Sequence, residues 1–113
     1  MRKSILAFIA ATLLFSSPAH AKSQCGKASW YEFTTRTASG EMADPEAMTA
    51  AHRTLKFGTK MKVTNLANGR STVVRINDRG PFIKGRIIDV TRAVARTLGF
   101  KNAGIGKVCI EKL

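Results

Sequence analysis

Acidic residues are scarce in this chain. The 113 residues include 7 Asp and Glu against 19 Lys and Arg, so the formal net charge is +12. Such a balance favours a polyanionic partner, and nucleic acid is the first one to consider. Histidine is also rare, with 2 in the chain, and the sequence has no Cys-x-x-Cys or His-x-x-x-His pair. A zinc site is therefore not expected, and no other metal or cofactor is expected either.

Long apolar runs are missing after the amino terminus. A positive segment at residues 1–3 precedes an apolar stretch at residues 5–15, and an Ala-His-Ala pattern at residues 19–21 matches a signal-peptidase site. The stretch is too short to span a bilayer, so no transmembrane segment is expected. We predict a signal peptide over residues 1–21 and one mature domain over residues 22–113.

Export changes the expected partners. DNA and RNA are scarce outside the cytoplasm, so nucleic acid is no longer expected, and the anionic cell wall becomes the polyanion to consider. The three residues before Cys25 lack the small apolar side chains of a lipoprotein site. The prediction is therefore a soluble protein, periplasmic or secreted, without a lipid anchor.

The chain contains only 2 cysteines, Cys25 and Cys109, which lie near the two ends of the mature domain. In an oxidising compartment an even number of cysteines favours a disulfide. Closing a loop of this length would stabilise the fold by about 4–5 kcal/mol in the chain-entropy model. The alternative is a pair of buried free thiols.

Short strands dominate the predicted secondary structure. Two brief helices are also expected, one from Asp44-Pro45 to Ala51 and one that begins after Thr91 and ends at Gly99. Asn68-Gly69 predicts a hairpin turn. Many short strands with two brief helices indicate a small β-barrel. Apolar alternation and β-branched runs predict the strands at residues 26–33, 60–66, 71–77, 86–90 and 107–112.

Two aspartates occupy similar positions in the most informative part of the chain, residues 72–91. Asp78 follows one apolar strand, and Asp89 ends the next. Pairs of carboxylates carry out the cleavage of glycosidic bonds. Chemistry on a sugar polymer is therefore the first functional hypothesis.

Four stretches of the mature chain resemble the RlpA family (rare lipoprotein A), exported double-psi β-barrel proteins that include septal lytic transglycosylases. The resemblance implies a mainly β fold, a six-stranded double-psi β-barrel with one or two short helices, related to the barrels of expansins and MltA-type transglycosylases. The matching stretches are G-K-A-S-W-Y (26–31), T-A-S-G-E (37–41), T-A-A-H-R-T-L (49–55) and the run over 63–89 with N-L-A-N-G-R, R-I-N-D-R-G-P and G-R-I-I-D.

The chain departs from the family pattern at two positions and in its extent. Glu32 replaces the usual glycine after Trp-Tyr, and Ser39 replaces the usual asparagine before Gly40. Septal members often carry a lipid anchor and a C-terminal SPOR domain that binds stripped glycan, and neither is expected here. Septal targeting is therefore not predicted.

The resemblance implies a catalytic set of four residues around a binding groove, namely Glu41, His52, Asp78 and Asp89. A lytic transglycosylase needs one group that protonates the leaving oxygen and then accepts the proton of the C6 hydroxyl. That group must be protonated near neutral pH, so burial or a like charge must raise its pKa. We take Asp78 as the first choice for this acid.

Each of these four residues has a structural alternative. Asp78 also suits a turn that caps its own backbone, and Asp89 suits the entry of the following helix. Glu41 suits a solvated loop, and His52 suits a structural role.

The resemblance also implies a set of substrate contacts. Tyr31 and Trp30 alternate on one strand, so only one can face the groove, and we predict that Tyr31 stacks on a sugar while Trp30 lies in the core. Arg53, Arg75 and Arg79 are predicted to contact the lactyl carboxylate of muramic acid, the alternative being plain surface charge.

The leading prediction is a lytic transglycosylase that cleaves peptidoglycan glycan strands, stripped of their peptides, to anhydro-muramyl ends. A non-catalytic wall-binding or expansin-like wall-loosening module is the first alternative. A protein-binding inhibitor barrel is the second.

Overall fold

The computed structural model describes residues 23–113, so the predicted signal peptide lies outside the described residues. Within these residues, six strands and one helix follow one another. They are β1 (Ser23–Tyr31), β2 (Thr49–Ala51), β3 (Lys60–Asn65), β4 (Ser71–Asp78), β5 (Arg86–Thr91), α1 (Arg92–Leu98) and β6 (Ile105–Lys112).

The strands close into a barrel in the order β1-β5-β2-β4-β3-β6. Two pairs, β1–β5 and β2–β4, are parallel. The pairs β1–β6, β2–β5, β3–β4 and β3–β6 are antiparallel. The mainly β, six-stranded barrel predicted from the sequence is therefore confirmed.

Strand alternation builds the core. In β3, Met61 and Val63 are buried while Lys60 and Lys62 are exposed, as a period of two requires. Each fully buried aliphatic side chain contributes about 1.5–3 kcal/mol relative to an exposed one. The strand residues that form the apolar core cluster are Ala28, Ala50, Met61, Val63, Val74, Ile76, Ile87, Ile88, Val90, Val108 and Ile110.

The termini of α1 follow the sequence prediction. Thr91 is the N-cap, and its Oγ1 accepts a hydrogen bond from the Val94 amide. Gly99 ends the helix at φ 85°, in the left-handed region that favours glycine. The helix buries Val94 and Leu98 against the barrel, so α1 covers one end of the core.

The helix predicted from Asp44-Pro45 to Ala51 is wrong. Asp44 Oδ1 does accept a hydrogen bond from the Glu46 amide at 2.9 Å, but only a turn follows. The chain then becomes β2, which pairs with both β4 and β5. Two strand neighbours supply backbone partners that a short helix would lack, and these non-local bonds override the local helix propensity of Ala and Met.

The disulfide and the hairpin are both confirmed. Cys25 and Cys109 are opposite each other in the β1–β6 pair and are bonded. Gly69, in the turn between β3 and β4, has φ 76°. Trp30 is partly buried against the core, as predicted, and its Nε1 donates to the Lys101 carbonyl at 3.0 Å.

Within residues 23–113 there is no helix of the length and hydropathy that crossing a membrane requires.

Candidate active site

The two aspartates lie in one row across the outer face of the barrel. Strand register places Ser29 beside Asp89, Asp89 beside Ala51, and Ala51 beside Asp78. We call these four residues the carboxylate row. Residues paired in this way share one face of the sheet. Asp78 and Asp89 are therefore separated by a single strand position, which is occupied by the small residue Ala51.

Two irregularities in the register set this row. Between Ala50 and Ala51 the partner on β4 shifts from Ile76 to Asp78, so Asn77 is an extra residue. A similar shift on β5 leaves Ile87 without a partner on β1. Such bulges re-aim the side chains that follow them. The two bulges bring both aspartates to the outer face, whereas residues that precede them on β4 and β5 fill the core.

Asp89 has an environment that favours its protonated form. Its side chain is half-buried, and its Oδ1 accepts a hydrogen bond from Ser29 Oγ at 2.9 Å. Burial raises the pKa of Asp89, and the charge of Asp78 raises it further, while the Ser29 hydroxyl and the Arg86 charge lower it. The net shift is upward, which is the direction a general acid requires.

Asp78 is held differently. Its Oδ1 accepts hydrogen bonds from the backbone amides of Ala38 at 2.8 Å and Arg79 at 2.9 Å. Asp78 therefore caps a turn, as its structural alternative proposed. Arg79 does not form an ion pair with Asp78, because its guanidinium donates to the carbonyls of His52 and Leu55. Asp78 is fixed as an acceptor that faces Asp89.

Glu41 is exposed and paired. Arg75 donates to both of its carboxylate oxygens at 2.8 Å, and Asn77 Nδ2 donates to Oε1 at 3.3 Å. The bond to Arg75 is the main reason that the pKa of Glu41 is lowered. The pKa of Glu41 is thus shifted in the direction opposite to that of Asp89.

His52 is buried, and its ring makes its contacts away from the carboxylates. Nδ1 accepts from the amides of Thr54 and Leu55 at 3.2 Å, which places the ring proton on Nε2, 3.1 Å from Gln24 Oε1. Burial is the first cause that lowers the pKa of His52, followed by the charges of Arg53 and Arg79.

The backbone links His52 to the row, because its amide donates to the Asp78 carbonyl at 3.1 Å. Its ring lines a cavity of about 400 Å³ together with Leu55, Met61 and Ile110. His52 is therefore connected to the carboxylate row through the main chain.

Tyr31 lies beside the carboxylates but is largely inaccessible. It is 9% exposed. Burial raises its pKa to about 12, the Thr49 hydroxyl lowers it, and the charges of Asp78, Asp89 and Glu41 raise it. The hydroxyls of Tyr31 and Thr49 are close but do not meet the geometry of a hydrogen bond.

One face of Tyr31 is occupied by an aromatic that the sequence analysis did not single out. Phe33 stacks on it with ring centroids 4.5 Å apart and planes at 22°, and Phe33 itself is 41% exposed. The sequence did contain a signal for Phe33, because Ser29, Tyr31 and Phe33 follow the period of two that places residues on one strand face. Phe33 is the accessible aromatic at this end of the row.

The predicted substrate arginines all make contacts within the protein. Arg75 pairs with Glu41. Arg53 Nη1 donates to the carbonyls of Pro81 at 3.1 Å and Arg86 at 2.9 Å. Arg79 also lies over the Phe57 ring at 4.0 Å, so its guanidinium is held on both sides. These residues hold the loops at the rim of the row.

Residues 23–113 contain no group of three His, Cys, Asp or Glu side chains arranged to hold a metal ion.

The sequence matches the protein-family model described as "Lytic transglycolase" over residues 23–110. The chain belongs to this family. The lytic transglycolase domain is 55% identical over 89 residues to the "Probable endolytic peptidoglycan transglycosylase RlpA" of Synechocystis, with 76% of this chain and 28% of that protein covered. It is 52% identical over 93 residues to the "Endolytic peptidoglycan transglycosylase RlpA" of Neisseria meningitidis serogroup A, with 80% and 39% covered. The predicted resemblance to RlpA is confirmed.

The lytic transglycolase domain spans less than two fifths of these relatives. Among solved structures it resembles the Streptomyces papain inhibitor, with a TM-score of 0.70, 18% identity, and 86% of this chain and 99% of that chain covered. It also resembles the expansin of Clavibacter michiganensis, with a TM-score of 0.66, 22% identity, and 81% and 50% covered. At such identities the likeness concerns the fold alone, and it supports the double-psi barrel.

Proposed function

We propose that this domain is a peptidoglycan lytic transglycosylase that cleaves glycan strands to anhydro-muramyl ends. The observation that carries the proposal is the carboxylate row. A half-buried carboxyl with a raised pKa, Asp89, faces a second carboxylate, Asp78, across one strand. The names of the RlpA relatives supply the substrate class.

The reaction needs one proton to move twice. Protonated Asp89 donates its proton to the glycosidic oxygen as the bond between the anomeric carbon and that oxygen breaks. The C6 hydroxyl of the same sugar then bonds to the anomeric carbon, and its proton returns to the Asp89 carboxylate. No water is consumed, and the acid is regenerated.

This assignment makes Asp89 the acid in place of Asp78, our first choice from the sequence. Asp78 is oriented by two backbone amides and lies where its negative charge stabilises the oxocarbenium-like transition state. Its charge also favours protonated Asp89. The two aspartates thus take separate roles because their environments differ.

The remaining predicted residues support the row. The Glu41–Arg75 pair fixes charge at one end. His52 binds the Asp78 backbone and, through Gln24, the start of β1. Phe33, backed by Tyr31, offers an apolar ring face to a sugar.

Glycan strands already stripped of peptides are the proposed substrate, and an extracytoplasmic compartment is the proposed location. A disulfide in a small barrel fits an oxidising compartment, as does the predicted signal peptide. No cofactor takes part in the proposed chemistry.

Digestion of purified sacculi tests the function. The mature protein is incubated with intact and amidase-treated sacculi, and the soluble products are read by mass spectrometry. Anhydro-muramyl ends, with more product from amidase-treated material, are expected. Reducing muramyl ends would show a hydrolase instead.

The expansin-like fold gives one competing outcome. A wall-binding module would sediment with sacculi and release no new sugar ends. That result would reject the enzyme and leave the carboxylate row as a structural or binding feature.

A further inference from the structure

A second row of residues lies directly beside the carboxylate row. In the β6–β1–β5 part of the sheet, Lys107 pairs with Lys27, and Lys27 pairs with Arg86. We call these three residues the cationic row. Lys27 and Ser29 are two positions apart on β1, so the two rows share the outer face and are separated by roughly 7 Å along the strand.

The cationic row has no acidic partner within residues 23–113. The ion pairs of that part of the chain join other residues, namely Glu41 with Arg75, Glu32 with Arg92, and Glu46 with Arg92 and Arg96. Like charges directly opposite each other on neighbouring strands destabilise a sheet. The fold thus places three cations together at a cost, while Glu32, Glu41 and Glu46 pair with other arginines.

The surface beside two members of this row is concave. Lys27 and Lys107 line a cavity of about 390 Å³ together with Cys25, Gly26, Leu66 and Gly85. The Lys27 amide donates to the Gly85 carbonyl at 3.0 Å, which fixes the loop at its edge. Arg86 and Asp89 both lie on β5, where they pair with Lys27 and Ser29 of β1. The cationic row and the carboxylate row are therefore neighbours on the sheet.

The three arginines predicted to contact an anion already have partners within the protein. The guanidinium groups of Arg53, Arg75 and Arg79 are bonded within the protein. We propose that the cationic row, Lys107–Lys27–Arg86, is a carboxylate-binding subsite of the cleft, which selects glycans with acidic sugars over neutral ones. This inference rests on the proposed function for its glycan ligand.

The carboxylate can come from two sources in such a polymer. Strands without peptides carry the lactyl carboxylate of muramic acid, whereas strands with peptides carry the carboxylates of the peptide stem. Neutral chitin oligosaccharides have neither group. Comparing peptide-free strands, peptide-bearing strands and chitin oligosaccharides therefore distinguishes the two carboxylate sources from a general affinity for amino sugars.

Lys27→Gln is the variant that tests the row, and Lys62→Gln is its matched control. Both lysines are exposed on outer strand faces, and both substitutions remove one charge. Lys62 lies opposite Glu111, whereas Lys27 lies between two cations. Lys27→Gln should therefore keep or raise the melting temperature, so that a loss of binding cannot be attributed to misfolding.

Binding is measured by sedimentation and fluorescence anisotropy at low and high salt, which requires no turnover. Lys27→Gln is expected to weaken binding to peptide-free muramic glycan about threefold, and Lys27→Gln with Lys107→Gln about tenfold. Binding to chitin oligosaccharides and the behaviour of Lys62→Gln should not change. A loss confined to peptide-bearing strands would assign the subsite to the stem carboxylates.

Three results would overturn the proposal. They are an equal loss on chitin oligosaccharides, equal effects of Lys27→Gln and Lys62→Gln, and no effect on any ligand. The proposed function can fail separately. If wild type releases no anhydro ends but Lys27→Gln still weakens binding to acidic glycan, the subsite stands and the enzyme does not. If anhydro ends form and Lys27→Gln changes nothing, the enzyme stands and the subsite does not.

Discussion

Asp89 and Glu41, two carboxyl groups of the candidate site, are held in opposite ways. Asp89 is half-buried, bonded to a neutral hydroxyl and close to another carboxylate, so its pKa is raised. Glu41 is exposed and bonded twice to a guanidinium, so its pKa is lowered. The pKa of a carboxyl group therefore depends on its immediate neighbours and not on its side-chain chemistry alone.

Asp89→Asn should have the largest effect on activity, because it removes the raised-pKa carboxyl group from the comparison. The amide cannot donate the carboxyl proton, so release of anhydro-muramyl products from sacculi should fall by about a hundredfold or more, the scale of general acid catalysis. Mass spectrometry of soluble products measures the loss. Glu111→Gln, which alters an exposed carboxylate at the far end of β6, serves as the control. Full activity in Asp89→Asn would move the acid back to Asp78.

The same variant should affect stability with a defined sign. Because the folded-state pKa of Asp89 is raised, the stability that its protonated form contributes is complete below the unfolded-state pKa. It is lost as pH rises through the folded-state pKa. Asparagine does not ionise, so Asp89→Asn does not undergo this loss of stability. The variant should therefore be at least as stable as wild type at neutral pH. Urea unfolding at pH 4 and pH 7 measures this, and a large destabilisation at pH 7 would contradict the cost of burying the Asp89 charge.

Ser29→Ala should sharpen the comparison by changing the acid without removing it. The Ser29 hydroxyl stabilises the ionised form, so its loss raises the pKa of Asp89 further. Activity requires the protonated form and should therefore persist to higher pH. The pH profile of kcat/KM reports the shift, and Ser29→Thr should restore the wild-type profile. An unchanged alkaline limb in Ser29→Ala would mean that Asp89 is not the titrating acid.

Glu41→Gln should have the smallest effect, a minor change in the free energy of unfolding. The Glu41–Arg75 pair is exposed, and such pairs contribute about 0.2–1 kcal/mol. Its contribution is present above the unfolded-state pKa of Glu41 and is lost as pH falls through the lower folded-state pKa. The difference between Glu41→Gln and wild type in urea unfolding should therefore be small at pH 7 and vanish in acid. Loss of activity as large as in Asp89→Asn would make Glu41 part of the chemistry.

Local signals in the sequence predicted the parts of the fold that depend on local contacts. Thr91 and Gly99 mark the two ends of α1, because a capping residue acts on its own helix. The Asn68-Gly69 turn also forms from local contacts. The segment that became β2 has only three residues, and its neighbours Ala47 and Met48 favour a helix. Its strand state comes from partners on β4 and β5, which no local pattern contains.

The same distinction applies to the site. The resemblance identified both aspartates, but their order of preference depended on contacts with Ser29 and Ala38 that are distant in sequence. The three arginines were assigned to substrate because their charge was visible in the sequence. Their partners are mostly backbone carbonyls of remote loops, and such acceptors have no sequence signature. The stacking of Phe33 on Tyr31 was not predicted, because it depends on the path of the chain after β1 ends at Tyr31.

The position of β2 between two distant strands also bears on when the cleft forms. Ser29 and Asp89 are 60 residues apart in sequence, and 84 residues separate the two bonded cysteines. A barrel built on such distant pairings has a high contact order, and folds of this kind take milliseconds to seconds to form. The carboxylate row requires β1, β5, β2 and β4 together, so a chain in which these strands have not paired lacks the row. Any property that depends on the row therefore arises with long-range strand pairing and not with local structure.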